Sequence, residues 1–120
     1  LLKNGKPYLV YGTMGGEGQP QTQAAIATRV VDFGMTPQEA INAPRWLYGR
    51  TWGKAFNDLK MEGRIPKSVL DELVKRGHPV KAVDDFTDTM GHAGAILVNQ
   101  EAGVMQGGTD PRGDGLAAGY

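Results

Sequence analysis

The sequence predicts an α+β fold in which helices cover a mainly antiparallel sheet, on three observations. Apolar periodicity runs in the order strand, helix, helix, strand, helix, strand, strand, strand, which is not the strict alternation of a doubly wound parallel sheet. The last strands are joined by Glu101-Ala102-Gly103, a hairpin signal. The 18 glycines are about twice the average share, yet they stand at element ends and form no repeat or low-complexity tract.

Taken in order, L-L-K-N-G-K-P-Y-L-V-Y at the start reads as a strand with a turn at Asn4-Gly5. V-Y-G-T-M-G-G-E-G then breaks the strand into glycines and leads to a helix. Residues 21–33 place Ile26, Val30 and Phe33 on one stripe, widened by Ala27 and Val31, with Gly34 at the position just past the helix. T-P-Q-E supplies a capping box for a second helix, with Thr36 as N-cap, Pro37 at the first position and Glu39 at the third. That helix is short, because the residue before Pro44 is biased away from helical backbone, and Arg45, Trp46, Leu47 and Tyr48 leave as an extended exit in which Arg45 and Trp46 anchor the loop to the sheet.

Residues 49–63 mix apolar Trp52 and Phe56 with turn-forming Gly53, Asn57 and Asp58 before a strand at 59–62. Residues 66–76 form a third helix with Val69, Leu70, Leu73 and Val74 on one face, Asp71/Lys75 and Glu72/Arg76 as i,i+4 pairs, and Gly77 as its cap. Strands follow at 80–83, 93–99 and 104–106, with a polar connection at 84–91. No Gly/Pro/Ser linker divides the 120 residues, so residues 1–120 read as one unit.

Composition excludes several classes of function. Thirteen basic and 13 acidic side chains cancel without a basic stripe, which gives no footprint for nucleic acid or an anionic membrane. Without cysteine there is no disulfide framework or thiolate zinc site, and the two histidines are far apart, so no metal is expected. No apolar run reaches the roughly 18 residues of a membrane span, and the opening segment lacks the apolar core of a signal peptide. A chain that begins on Leu1, already in a strand, reads as a piece of something longer.

The loop holding Gly12, Gly15, Gly16 and Gly18 is the best functional clue. Glycines this dense serve where backbone takes positive φ or lies against something else. The pattern alone leaves a tight turn without ligand and a backbone docking site equally open. A phosphate cradle fits poorly, because neither dinucleotide nor P-loop spacing is met and no lysine follows before Lys54. Asp110-Pro111-Arg112 reads as a capped turn or local ion pair, and His78 and His92 as surface or core residues, not bases.

Four segments in order, G-T-M-G-G at 12–16, D-F-G-M-T-P-Q-E-A-I-N-A-P-R at 32–45, T-D-P-R at 109–112 and the final A-G-Y, resemble the C-terminal end of the small subunit of γ-glutamyltranspeptidases. The resemblance implies part of an N-terminal-nucleophile hydrolase with a four-layer αββα sandwich, made as a precursor that cuts itself into two subunits. It implies hydrolysis or transfer of γ-glutamyl groups from glutathione-like amides, without a cofactor. The nucleophilic threonine, the contacts for the substrate's α-groups and a serine pair are then expected upstream of Leu1, so that the chain alone is inactive and its partners are the rest of the precursor and a small γ-glutamyl substrate.

By the same resemblance, Gly15 and Gly16 supply backbone N–H donors to the oxyanion hole. Thr13 and Met14 stand where relatives carry Ser-Pro and are candidate substrate-binding residues. Relatives include transpeptidases, plain hydrolases and cephalosporin acylases; the alternative to an enzyme part is a non-catalytic structural module of the same fold. A sheet taken from such a sandwich leaves one face uncovered, so the isolated chain is expected to self-associate.

Overall fold

The structure is a computed structural model that describes residues 1–54 and 57–119. Phe56, one of the apolar signals of the 49–63 stretch, and Tyr120 of the A-G-Y ending lie outside the described residues.

The chain opens with a ribbon of β1 (Leu2–Lys3) and β2 (Lys6–Pro7), whose turn holds Asn4 at φ 54 and Gly5 at φ 76. Two positive φ values make the tight turn that suits the right-handed twist of a hairpin, as Asn-Gly predicts. β3 (Leu9–Met14) runs into a single 3-10 turn at Gly16–Gly18 and then α1 (Gln19–Val31). α2 (Pro37–Asn42), β4 (Trp46–Tyr48), β5 (Leu59–Glu62), α3 (Lys67–Lys75), β6 (Val80–Val83), β7 (His92–Asn99) and β8 (Val104–Thr109) follow, with another 3-10 turn at Asp88–Met90.

The strands form two three-stranded sheets beside the ribbon. β3, β7 and β8 pair antiparallel in the order β3-β7-β8. β4 pairs antiparallel with β5, while β5 and β6 run parallel through the α3 crossover. The fold is therefore α+β and mainly antiparallel, with one parallel pair.

Alternation along β3 sends Leu9, Tyr11 and Thr13 toward α1 and α2, leaving Val10, Gly12 and Met14 on the other face. Leu9 joins Ile26 and Val30 of α1, Ala40 and Ile41 of α2, and Ala93 and Ala95 of β7 in the core, with Tyr8, Tyr11, Met35 and Leu97 packed against it. The opposite face leaves Val10, Ile96 and Met105 exposed.

Three expectations change. α1 stops at Val31, so Phe33 falls beyond the helix and is 72% exposed; Thr22 takes its place on the buried stripe with Ile26 and Val30. On α3, Asp71 pairs with Lys67 at 2.7 Å and not with Lys75, whose nearest carboxylate is Glu72 at 3.9 Å, whereas the Glu72–Arg76 pair forms at 2.8 Å. Arg45 anchors its loop, but Trp46 does not, because strand alternation turns it outward while Leu47 is buried. The capping box of α2 forms as read, with the Thr36 N–H donating to Glu39 at 2.8 Å and the Glu39 N–H donating to Thr36 Oγ at 3.3 Å.

Candidate functional site

The glycine loop joins the end of β3 to α1. Gly15 has φ 153 and ψ 33, and Gly16 has φ 51. Both values lie where an L side chain is strained, so the turn into the helix needs glycine at each position. Packing adds a second requirement. A Cβ on Gly16 would overlap the Thr51 carbonyl oxygen and come within 3.3 Å of the Trp52 ring; one on Gly15 would meet Gly91 Cα at 3.1 Å. Gly91 in turn sits so close to the Met14 carbonyl that no side chain fits there. The loop is thus held between the 51–52 segment on one side and Gly91 on the other.

Held this way, the loop keeps donors in reserve. The Gly18 N–H donates to the Gly15 carbonyl at 3.0 Å, closing the 3-10 turn. Among the described residues, the N–H groups of Gly15 and Gly16 meet no acceptor. They belong to the start of a helical segment, where backbone donors have no intrahelical partner and favour negative charge.

Thr13 and Met14 fall on opposite faces of β3. Thr13 is half-buried toward α1, its Oγ accepting from Gln23 Nε2 at 3.3 Å, whereas Met14 is 48% exposed beside the glycine loop. His92 pairs with Met14 in the β3–β7 register, and His78 is exposed after α3.

The D-P-R turn is capped as expected, Asp110 Oδ1 accepting from the Arg112 N–H at 3.0 Å, but its charges reach much farther. Arg45 Nη2 donates to Asp110 Oδ2 at 2.5 Å, and Arg112 donates to Glu62 through Nε at 2.6 Å and Nη2 at 2.7 Å. Arg64 adds a bond to Glu62 at 2.8 Å, and Arg64 and Arg112 both lie over the Phe86 ring, at 3.7 and 5.3 Å. Arg45, Glu62, Asp110 and Arg112 are all buried. Burial works to raise the Glu62 carboxyl, but hydrogen bonds from Arg112, the Arg45 N–H and Arg64, with the Arg112 charge, outweigh it and hold Glu62 below the usual carboxylate range.

This network supports the glycine loop through one connection. Arg45 Nη1 donates to the carbonyls of Met90 at 3.3 Å and Gly91 at 3.0 Å, while Asp110 Oδ2 also accepts the Ala93 N–H at 2.7 Å. These bonds fix Gly91, and Gly91 backs Met14 and Gly15. Sequence reasoning missed Gly91, Thr51 and Glu62 as parts of this assembly. The only local signal was Gly91 itself, a glycine at a strand entrance that takes φ 69.

A second feature borders the loop. Arg50 clasps Glu17 with two bonds, Nε at 2.8 Å and Nη2 at 2.5 Å, and Arg50 Nη1 donates to the Gly53 carbonyl at 2.5 Å. Thr51 Oγ donates to the Thr89 carbonyl. Arg50, Thr51, Trp52, Lys60, Asp88 and Thr89 line a pocket of about 250 Å³ there. Among the described residues, no three His, Cys, Asp or Glu side chains gather as a metal site.

Comparison with known proteins gives a consistent result. The gamma-glutamyltranspeptidase family model matches residues 1–120. The chain is 55% identical over 119 residues to the glutathione hydrolase-like YwrD proenzyme of Bacillus subtilis strain 168, covering 99% of this chain and 22% of that protein. It is 53% identical over 112 residues to the oxamate amidohydrolase proenzyme of Klebsiella pneumoniae, covering 93% of this chain and 21% of that one. Among solved structures, cephalosporin acylase from Bacillus halodurans superposes with a TM-score of 0.86 at 36% identity, over 98% of this chain and 21% of that chain. The T380A mutant of Helicobacter pylori gamma-glutamyltranspeptidase gives 0.78 at 32% identity, over 94% and 58%. The chain spans about a fifth of the length of the curated relatives it matches.

Proposed function

The chain belongs to the gamma-glutamyltranspeptidase family, and from that premise we propose that it is the distal part of the small subunit of an amide-cleaving enzyme, to which it contributes the oxyanion-binding backbone. The substrate in this reading is a γ-glutamyl amide. The nucleophile is a threonine outside residues 1–120, its own α-amino group taking the hydroxyl proton. When that hydroxyl adds to the amide carbon, the carbonyl oxygen gains negative charge, and the N–H groups of Gly15 and Gly16 receive it. The α-ammonium then gives its proton to the amide nitrogen, the C–N bond breaks to release the amine and leave an acyl-enzyme, and water or an amino compound resolves this ester with the α-amino group again taking the proton.

The observation that carries this reading is the state of the loop: its Gly15 and Gly16 N–H groups meet no acceptor among the described residues, and the backbone around them is already held by Thr51 and Gly91. Donors fixed before the reaction stabilise developing charge without a reorganisation cost, and loss of one such donor weakens the transition state by about 2.7–4 kcal/mol.

Two observations favour other readings. Contacts with Thr51 and Gly91 account for glycine at both positions without any ligand, as a structural module requires. The 53% identity to an oxamate amidohydrolase proenzyme points to a smaller carboxylated amide. The test is turnover of γ-glutamyl-p-nitroanilide and of oxamate by the full-length protein and by residues 1–120 alone. The proposal predicts γ-glutamyl turnover by the full-length protein and none by the isolated chain. Turnover of oxamate alone would replace the substrate, and turnover of neither would support the structural module.

A further inference from the structure

We infer that Trp52 is a specificity-determining residue that walls the leaving-amine side of the site and selects γ-glutamyl amides whose amine is aromatic or apolar. The inference rests on the reading of Gly15 and Gly16 as oxyanion donors and names the class of amide that reading leaves open.

The first observation is position. The Trp52 ring lies 3.3 Å from where a Cβ on Gly16 would stand, so the indole borders the backbone that receives the oxyanion. The second is exposure: the side chain is 65% exposed, although an indole has much apolar surface to bury. The third is restraint. The Arg50–Glu17 clasp ties the loop carrying Trp52 directly to the glycine loop, the Arg50 bond to the Gly53 carbonyl closes it from behind, and the Thr51 hydroxyl fastens it to Thr89. An exposed aromatic on a loop held at several points presents a flat apolar surface at little ordering cost on binding.

Charge decides which part of the substrate meets that surface. A γ-glutamyl head carries a carboxylate and an ammonium, which need charged or hydrogen-bonding partners. The two cations that line the pocket with Trp52 are already engaged, Arg50 with Glu17 and the Gly53 carbonyl, and Lys60 with Asp58 at 2.6 Å and the Gly49 carbonyl at 2.5 Å. The indole therefore suits the other substituent of the amide, the departing amine.

The experiment uses the full-length, self-processed enzyme and the ratio of kcat/KM for γ-glutamyl-p-nitroanilide to that for γ-glutamylglycine. Trp52→Ala should lower this ratio about tenfold, the order expected when an aromatic contact is lost from a pocket. Trp52→Phe should keep the ratio within about threefold, since a ring still fills the wall. Arg50→Gln, which opens the clasp, should shift the ratio in the same direction as Trp52→Ala. Should the alanine variant fail to mature, Trp52→Leu removes the aromatic face while keeping the bulk and reads the same ratio. A wild-type enzyme that turns over both substrates, with variants whose ratio is unchanged, overturns the role of Trp52 alone. A wild-type enzyme that turns over neither overturns the oxyanion reading and this inference together.

Discussion

Gly16 and Gly18 stand two positions apart in one loop and answer to different constraints. Gly16 has positive φ and no room beside the Thr51 carbonyl, whereas a Cβ on Gly18 would crowd the Leu47 Cδ1 methyl at 2.9 Å, the movable end of a side chain, and reach Thr51 Oγ at an ordinary 4.0 Å. In the full-length protein, Gly16→Ala keeps its N–H but its Cβ must push the backbone away from the Thr51 carbonyl, so it should lower kcat by about 10²–10³ and lower Tm as well. Gly18→Ala should leave kcat nearly unchanged and lower Tm slightly; steady-state kinetics beside thermal unfolding separate the two. Glu62 carries the larger stability effect. It is fully buried and bonded to Arg112, Arg64 and the Arg45 N–H, so Glu62→Gln removes the charge that faces two guanidinium groups. Breaking a buried pair from one side costs about 3–5 kcal/mol, to be read from denaturant unfolding. Because its folded pKa is depressed, Glu62 contributes stability that is fully present above the ordinary carboxylate value of 4.5 and is lost as pH falls through the lower folded value. Unfolding of the wild type measured below that value should show the loss, and Glu62→Gln should flatten it.

Among the elements, α2 was the most legible. Thr36, Pro37 and Glu39 satisfy its first turn by local chemistry, and Ala43, held extended before Pro44, ends it. Thr36→Ala should cost about 1 kcal/mol of stability, measured by chemical denaturation, with the fold retained. The α1 stripe was read correctly at Ile26 and Val30 and wrongly at Val31 and Phe33, which are 50% and 72% exposed, because periodicity does not mark the turn at which a helix stops. Pairing of side chains on α3 was misassigned for a related reason: Asp71 has a lysine four positions away on either side, at 67 and at 75, and spacing cannot choose between them. The glycine loop stood out because its density is local. The Arg45, Glu62, Asp110 and Arg112 assembly did not, since its bonds join residues as much as 65 positions apart and each residue alone resembles an ordinary surface charge.

At the scale of the whole molecule, charge at the surface is balanced while one sheet face is not covered. Val10, Ile96 and Met105 are exposed on the face of the β3-β7-β8 sheet opposite the helices, at 58%, 42% and 72%. Apolar surface of this kind favours association, so the isolated chain should self-associate with rising concentration in sedimentation velocity runs, and Ile96→Lys with Met105→Lys should reduce it. α1 and α2 cover the other face, Arg45 of the buried ionic network bonds the Gly91 carbonyl, and Gly91 and Thr51 back the glycine loop from its two sides. That backing makes the loop a rigid presenter of two backbone donors, which is the central claim. It is tested most directly by a crystal structure of the full-length enzyme carrying a tetrahedral phosphonate or boronate adduct on its nucleophile. The adduct oxygen should lie about 2.7–3.1 Å from both the Gly15 and Gly16 nitrogens; an oxygen directed elsewhere, or those two N–H groups bonded to another segment of the protein, would contradict it.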